Sequence, residues 1–427
     1  MAMPGLRDIA RGNLGIMTLS AGIWTFAGQL NNPFQSLFIL HLGGTPFQIG
    51  LIASIAAITR IIPTLIGGQL ADTYGRKKII IITCFMMSFN ALVYAFAQDI
   101  RWLIVAAMIS ALAHGLREPA FASLIADSTE RRTRAQSYAM WSIIPPLFGV
   151  ASPFIMGTLM DRHGFLPMIR IGYLLLFAAA TTASIIRYYY IEETLPATGP
   201  VKMGIRELTV DTLSGIRETL GTLPRTLKVL GIMGVLFGLG AAIGQPIWVL
   251  YATEDVINLS LSQWGLISAV KTITATLVGF PLARISDKRG RRFLLIPSIV
   301  ITPLAIVGFA NSRTFVQTLL VTILITVLGS MGMSSGQALF ADLTEPQHRG
   351  RITAFWSITG TMRSFNLRAS PGSLIGATGN LLGGYLYENH NKPTPLYLQS
   401  LMVALAAITG LLYLKEPKNP PPIPAEE

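Results

Sequence analysis

One segment of the sequence occurs twice, and this repetition constrains the fold more than any other feature. GGQLADTYGRKK at residues 67–78 is echoed by RISDKRGRR at residues 284–292. The pairs related by the same spacing of 215 residues include Asp72 and Asp287, Gly75 and Gly290, Arg76 and Arg291, Asp127 and Asp342, and Arg134 and Arg349. The sequence therefore predicts two copies of one structural unit.

The composition indicates that this unit lies in a membrane. Hydrophobic residues make up 51% of the chain, charged residues only 13%, and the mean hydropathy is +0.54. A soluble domain of this size could not bury so much apolar surface. The net charge of +12 arises from short basic clusters between apolar segments, which indicate topology and not a nucleic-acid partner. Cys84 is the single cysteine, so the sequence offers no disulfide or thiol metal site.

Twelve apolar segments are long enough to cross a hydrocarbon core of about 30 Å. The first six cover residues 13–41, 46–71, 78–97, 101–126, 135–160 and 167–190. The second six cover residues 228–252, 262–285, 293–310, 314–341, 352–388 and 395–414. These segments are called spans 1 to 12 below.

Lysine and arginine collect in the loops after spans 2, 4, 8 and 10, where they predict the cytoplasmic side of the membrane. HLGGT at residues 41–45, on the other side, has no lysine or arginine. We therefore expect a multi-pass protein of the plasma membrane with both termini in the cytoplasm.

The chain divides into two six-span units, residues 1–190 and 228–414. Residues 191–227 interrupt the apolar pattern, and either an amphipathic helix on the cytoplasmic membrane surface or a solvated flexible linker fits them. The proline-rich tail, residues 415–427, is expected to be disordered.

With these motifs placed, the whole chain resembles the major facilitator superfamily of secondary transporters. Gly68-x-Leu70-Ala71-Asp72-x-x-Gly75-Arg76-Lys77 is similar to the signature of that superfamily between spans 2 and 3, and Asp287-x-x-Gly290-Arg291-Arg292 repeats it more weakly. The resemblance implies an all-α membrane protein with twelve transmembrane helices in two pseudo-symmetric six-helix bundles.

Two departures limit a finer assignment. Ser152-Pro153 and Met156-Gly157 stand where the fifth-span pattern of proton-driven drug exporters has Gly-Pro and Gly-Gly, and Ala111 lies where the fourth-span arginine of those exporters falls. The match to the exporter group is therefore partial.

The repeated motif predicts a cytoplasmic gate. Gly75 allows a tight reversal between spans 2 and 3, and Asp72 can accept hydrogen bonds at a neighbouring helix N-terminus, which the resemblance assigns to span 11. Arg76 can bridge to Asp127 with support from Arg134. The second repeat offers Asp287, Gly290, Arg291, Asp342 and Arg349. Simple positive-inside topology also explains the cations, but not aspartate at four equivalent places.

Ionisable residues within the spans are candidates for substrate binding and coupling, because a charge at mid-bilayer costs at least about 2.5 kcal/mol. At 1.5 Å per residue, Arg60 lies about 18 Å from Asp72, so it is near the midplane. Glu118, the one acid placed deep in a span, lies at a similar depth, and Lys271 lies nearer the outer side. His114 and Glu118 share a helix face. A pair of Glu118 with Arg60 or Arg117 that only fixes packing is the alternative.

Asn32 beside Pro33 and Gln245 beside Pro246 predict bends where backbone carbonyls face a cavity. Trp248 is a third candidate, and an interfacial anchor is the commoner explanation for such a tryptophan. Residues 359–372 are too polar for lipid, so they either break span 11 or precede it.

These features predict a transporter that works by alternating access around a site at the midplane. Protons are the default coupling ion, and export of drugs or metabolites is the first functional hypothesis. Transport of a small organic or inorganic anion is the alternative, and a receptor that does not transport is a remote one. We expect no enzymatic activity, no cofactor, no metal, no nucleic acid and a monomer in the bilayer.

Overall fold

The computed structural model describes residues 12–129, 134–195, 225–344 and 374–414. Helices fill these residues, and no strand occurs among them. They form twelve transmembrane helices in two six-helix bundles, as the sequence predicted. Ten of the described helices are long and apolar enough to cross a membrane unaided.

The first bundle contains spans 1 to 6. Span 1 is Asn13–Asn31, a 3₁₀ turn at Asn32–Phe34 and Gln35–His41; the others are Pro46–Tyr74, Arg76–Ala95, Ile100–Asp127, Arg134–Phe148 with Ser152–His163, and Phe165–Tyr190. The second bundle contains spans 7 to 12. Span 7 is Arg225–Gly244, a 3₁₀ turn at Gln245–Ile247, Trp248–Leu250 and a π-helical turn at Tyr251–Asp255; the others are Leu261–Arg289, Arg291–Ala310, Phe315–Leu343, Leu374–Asn389 and Thr394–Tyr413.

The helices alternate between two ends of the molecule. The basic end carries Gly75, Gly290 and the clustered arginines; the Gly43 end carries Gly43, Gly164 and Ser260. At the basic end Gly75 and Gly290 adopt φ angles of 95° and 92°, in the region that L side chains avoid, and each separates two helices without a loop. This confirms the predicted tight reversal.

The start of the predicted linker belongs to the first bundle. Both oxygens of the Glu193 carboxylate accept backbone N–H groups at the start of span 3, from Arg76 at 3.1 Å and Lys77 at 3.0 Å. Ile191 is buried in the core. The sequence placed the linker at residues 191–227, but the bundle extends to residue 195 and span 7 begins at residue 225. The amphipathic helix and the disordered tail lie outside the described residues and stay predictions.

Both proline-amide breaks in spans 1 and 7 occur where they were predicted, as 3₁₀ turns. The break also frees a carbonyl, because Trp264 of the second bundle donates its indole N–H to the Pro33 oxygen at 3.2 Å. A further interruption in span 5, at residues 149–151, was not predicted. The polar segment before span 11 lies outside the described residues.

The two bundles join mainly at the Gly43 end. Span 2 packs on span 11, and span 8 packs on span 5. The largest buried apolar cluster contains residues of both bundles, including Phe38 and Tyr251, whereas the two smaller clusters each belong to one bundle. The helices of each bundle therefore have cores of their own, and the joint is a separate surface.

This arrangement predicts that the chain can be cut within residues 196–224 without loss of assembly. Two separately expressed pieces should co-purify in equal amounts, because the joint between spans 2, 5, 8 and 11 does not need the covalent connection. Tagging one piece and weighing its partner after purification measures this. Recovery of the tagged piece alone would contradict the prediction.

Candidate functional site

A cavity of about 750 Å³ lies between the two bundles, at the depth expected for a transporter substrate. A volume of this size suits a small organic molecule. Five of the residues predicted from the sequence line it: Asn32, Arg60, His114, Gln245 and Lys271. Helices from both bundles therefore bring together residues that are far apart in the sequence.

Arg60 and Glu118 form an ion pair at the edge of this cavity. Arg60 Nη2 lies 2.5 Å from Glu118 Oε2, and the Arg60 side chain is buried while the Glu118 side chain is one-third exposed. The sequence left Arg60 and Arg117 open as partners of Glu118, and the structure pairs it with Arg60. Because two charges in the membrane interior cost much less as a pair than alone, the contact explains why both are tolerated at this depth.

Arg117 turns away from Glu118. Its Nη2 lies 3.0 Å from His114 Nδ1, and its guanidinium stands over the rings of Trp24 and Phe121 at 5.4 and 5.2 Å. Adjacent residues of a helix point about 100° apart, so Arg117 and Glu118 face different neighbours. Arg117 does not line the cavity directly.

Trp248 requires a correction, because it does not line the cavity. Its ring stacks on Phe309 with centroids 4.4 Å apart, and its N–H donates to Gln399 Oε1 at 3.0 Å. The side chain is buried inside the second bundle, so neither the predicted site role nor an interfacial anchor fits its position. After the turn at Gln245–Ile247 this face of span 7 points to spans 9 and 12.

Aromatic and amide side chains that sequence reasoning missed complete the lining, among them Trp24, Asn90, Tyr94 and Trp264. Asn90 donates to the Ala106 oxygen at 2.9 Å and to Ser110 Oγ at 2.8 Å, and Tyr94 stacks on Tyr173 with centroids 4.8 Å apart. An asparagine in the middle of an apolar span was the available signal for Asn90.

A second cavity of about 640 Å³ continues from the first. The two share Lys271 and Thr272, and the second runs along span 8 to Asp287 and Arg291 at the basic end. Along the described residues, the two cavities together lead from the middle of the molecule to its basic end.

The predicted gate residues form two equivalent ion clusters at the basic end. In the first bundle Arg76 pairs with Asp127 and lies 3.5 Å from Asp72. In the second bundle Arg291 pairs with Asp287 and lies 3.2 Å from Asp342. Each cluster ties three consecutive spans of its own bundle together. The Arg134 side chain, Arg349 and the start of span 11, the predicted partner of Asp72, lie outside the described residues.

Four glycines bring the bundles into backbone contact at the Gly43 end. Gly50 faces the Asn380 carbonyl and Gly265 faces the Pro153 carbonyl. Gly157 and Gly384 lie against the first residues of spans 8 and 2 in the same way. A side chain at any of these positions would overlap the backbone of the facing helix.

Two carboxylates reinforce this joint, and sequence reasoning missed both. Asp161 at the end of span 5 accepts the backbone N–H groups of Leu261 and Ser262 at 3.0 and 2.9 Å. Glu388 at the end of span 11 accepts the N–H of Phe47 at 2.8 Å. Each carboxylate caps the first turn of a helix in the other bundle, where free N–H groups and the helix dipole favour an anion. We call these two caps and the four glycines the seal.

The seal follows the internal repeat. Phe47 and Ser262 are 215 residues apart, whereas Asp161 and Glu388 are 227 residues apart. The dozen additional residues of the second copy therefore precede the part of span 11 that forms the seal. The register that matched Met156-Gly157 to Gly383-Gly384 brings the caps into equivalent positions.

Comparison with known proteins identifies relatives along the whole chain. The family model described as Major Facilitator Superfamily matches residues 17–217 and 209–427. An uncharacterized MFS-type transporter, MJ1560 of Methanocaldococcus jannaschii, is 26% identical over 74% of this chain and 79% of its own length. The multidrug resistance protein MdtG of Salmonella typhimurium is 25% identical over 84% of this chain and 89% of its own length.

Solved structures share the fold. The human organic anion transporter MFSD10 superposes with a TM-score of 0.67 at 16% identity, covering 95% of this chain and all of the other. The nucleoside transporter NupG superposes with a TM-score of 0.70 at 15% identity, covering 94% of this chain and all of the other. Identities this low establish the architecture and leave the cargo open.

Loss of the two caps is predicted to loosen the seal. Each cap should contribute about 0.5–2 kcal/mol, so Asp161→Asn with Glu388→Gln should raise the population with a separated Gly43 end about tenfold or more. Spin labels at the exposed positions His163 and Asn391, in a Cys84→Ser background, would report this as a longer distance between the bundles.

Asp99→Asn provides the matched control, because Asp99 caps span 4 within its own bundle at 2.8 Å from the Arg101 nitrogen. This variant should leave the distance distribution unchanged. An unaltered distribution in the double variant, or an equal change in the control, would contradict the role assigned to the caps.

Proposed function

Because this chain belongs to the Major Facilitator Superfamily, we propose that it is a proton-coupled secondary transporter that moves a small organic anion by alternating access. The membrane-embedded transporter architecture is established by the family match and the fold. The cargo class, the coupling ion and the access cycle are the proposal.

The charge of the cavity lining supports an anionic cargo. Among the described residues that line the main cavity, the basic side chains are Arg60, His114 and Lys271, and no aspartate or glutamate is present. A low-dielectric cavity concentrates the field of such groups and raises the local concentration of the opposite charge. Aromatic and amide side chains around them give apolar contact and hydrogen bonds for the rest of the molecule.

The joint between the bundles supports an access cycle. The seal holds the Gly43 end together, while the second cavity leads from Lys271 towards the basic end. Opening the opposite side requires the bundles to rock about the central cavity and the seal to part. In this cycle the two ion clusters of the basic end keep spans 2 to 4 and 8 to 10 rigid, so that each bundle moves as one body.

The Arg60–Glu118 pair supports proton coupling. An anion that enters the cavity competes with the Glu118 carboxylate for the Arg60 guanidinium. A carboxylate released from its partner in the membrane interior favours the neutral form and takes up a proton. Anion binding and proton uptake are then linked through one arginine.

The basic end faces the cytoplasm in this proposal, because the loops there carry the lysines and arginines. Both termini are then cytoplasmic in a plasma-membrane protein, and one chain suffices for transport.

Drug export is the second candidate, and the similarity to MdtG favours it. That protein is named for multidrug resistance, and the cavity of this chain is rich in aromatic side chains. A cationic drug would compete with Arg60 for Glu118, in the reverse of the exchange described above.

The anionic cargo predicts a specific effect of Lys271→Gln. Uptake of benzoate into proteoliposomes should fall about tenfold, since each charge-assisted hydrogen bond contributes roughly 1.5–3 kcal/mol, whereas benzylamine of the same shape should move no more slowly. Lys288→Gln serves as the control, because Lys288 is exposed on the same helix. Faster movement of benzylamine than benzoate by the unaltered protein would favour drug export instead.

Proton coupling predicts that Glu118→Gln separates exchange from accumulation. A neutral amide can still contact Arg60 but takes up no proton, so counterflow should persist while accumulation driven by a pH gradient is lost. Radiolabelled anion uptake with and without an imposed gradient measures both.

Glu192→Gln is the matched control, since Glu192 is exposed at the basic end, and it should keep both activities. If Glu118→Gln retains full gradient-driven accumulation with an unchanged pH profile, the coupling residue lies elsewhere and the Arg60–Glu118 pair is structural.

A further inference from the structure

A second arginine lies beside Arg117 inside the first bundle, and the access cycle does not use it. Arg187 of span 6 is 2% exposed and is among the largest fully buried side chains. Its Nε donates to Ser20 Oγ at 2.9 Å, and its Nη1 contacts Cys84 Sγ at 2.9 Å. This guanidinium is therefore held firmly by neighbours from spans 1 and 3.

Arg117 and Arg187 share the same two aromatic rings. The Arg187 guanidinium stands 5.9 Å from the Trp24 ring centre and 5.2 Å from that of Phe121, and Arg117 stands 5.4 and 5.2 Å from the same centres. Cation–π contact stabilises each guanidinium, but the rings do not cancel the charge. Two cations thus lie close together in an apolar region.

Neither arginine has an ion pair with a carboxylate of the described residues. Glu118 is next to Arg117 in the chain, but its carboxylate bonds to Arg60. The Arg117 Nε is buried and has no hydrogen-bond partner in the described structure. A buried donor without a partner and two cations without a counter-charge are each costly, and an anion that reached them would remove both costs.

The cluster is adjacent to the central cavity. Trp24 and His114 both line that cavity, and both contact Arg117 directly. An anion in the cavity therefore has one layer of side chains to pass before it meets Arg117. A rotation of the His114 or Trp24 side chain is enough to open this layer.

We propose that Arg117 and Arg187, with Trp24 and Phe121, form a second anion-binding position next to the cavity, and that it takes the carboxylate of a planar aromatic acid. The planar guanidinium fork matches a carboxylate in two-point contact, and the two rings offer faces to an aromatic body. This inference rests on the proposed anionic cargo and names its chemical class.

The test is calorimetric titration of the full chain in lipid nanodiscs with benzoate and 2-naphthoate, and with benzylamine as the cationic counterpart. Arg187→Gln and Arg117→Gln should each weaken carboxylate binding about tenfold or more, the loss of one charge-assisted hydrogen bond. Benzylamine binding should not weaken. Arg170→Gln is the matched control in the same span, because Arg170 bonds the Ala97 carbonyl at the Gly43 end.

If Arg187→Gln does not fold, Arg187→Lys keeps the charge and loses the fork, so it should still weaken carboxylate binding more than Arg170→Lys does. Carboxylate affinity equal to that of the unaltered protein in the folded Arg117 and Arg187 variants, together with weakened binding in Lys271→Gln, would overturn this position and leave the anionic cargo standing. Absence of carboxylate binding and transport by the unaltered protein would instead overturn the proposed cargo itself.

Discussion

The structure depends on the backbone contact of spans 2 and 5 with spans 11 and 8. Glycine at positions 50, 157, 265 and 384 removes the side chains that would hold these helices apart, so their backbones meet at the Gly43 end. Asp161 and Glu388 then satisfy helix N-termini of the other bundle, which water cannot reach freely there. Because packing in lipid gains little from the hydrophobic effect, close approach and these charge–dipole contacts carry the joint.

The joint also decides where charge can be tolerated. By holding the bundles together at one end, it leaves a polar space in the middle, and Arg60, Glu118 and Lys271 border this space or pair across it. Arg187 differs, since it is buried within one bundle and meets its charge cost through Ser20, Cys84 and two aromatic rings. The first group fits a route for solute, and the second fits a position that an anion completes.

The sequence predicted features that depend on local or periodic chemistry. The repeat at 215 residues, the span lengths, the reversal at Gly75 and the breaks at Pro33 and Pro246 were all found, because apolar length, glycine and proline act within a few residues. Trp248 was misplaced, since a one-turn break changes which face of a helix looks inward. Asp161, Glu388 and Arg187 were missed because each lies near a span end, where charge ordinarily indicates only topology, and their partners are distant in the chain.

The polypeptide leaves the first bundle from a fixed point. Asn13 brackets the Glu192 backbone with two hydrogen bonds of 2.9 and 2.7 Å, and Glu193 clasps the start of span 3. From residue 195 to residue 225 the chain could extend to roughly 100 Å at about 3.3 Å per residue, several times the width of a six-helix bundle. Such a tether is slack in any rocking motion, so the amplitude of the transport stroke is set by helix surfaces and not by the length of the connection.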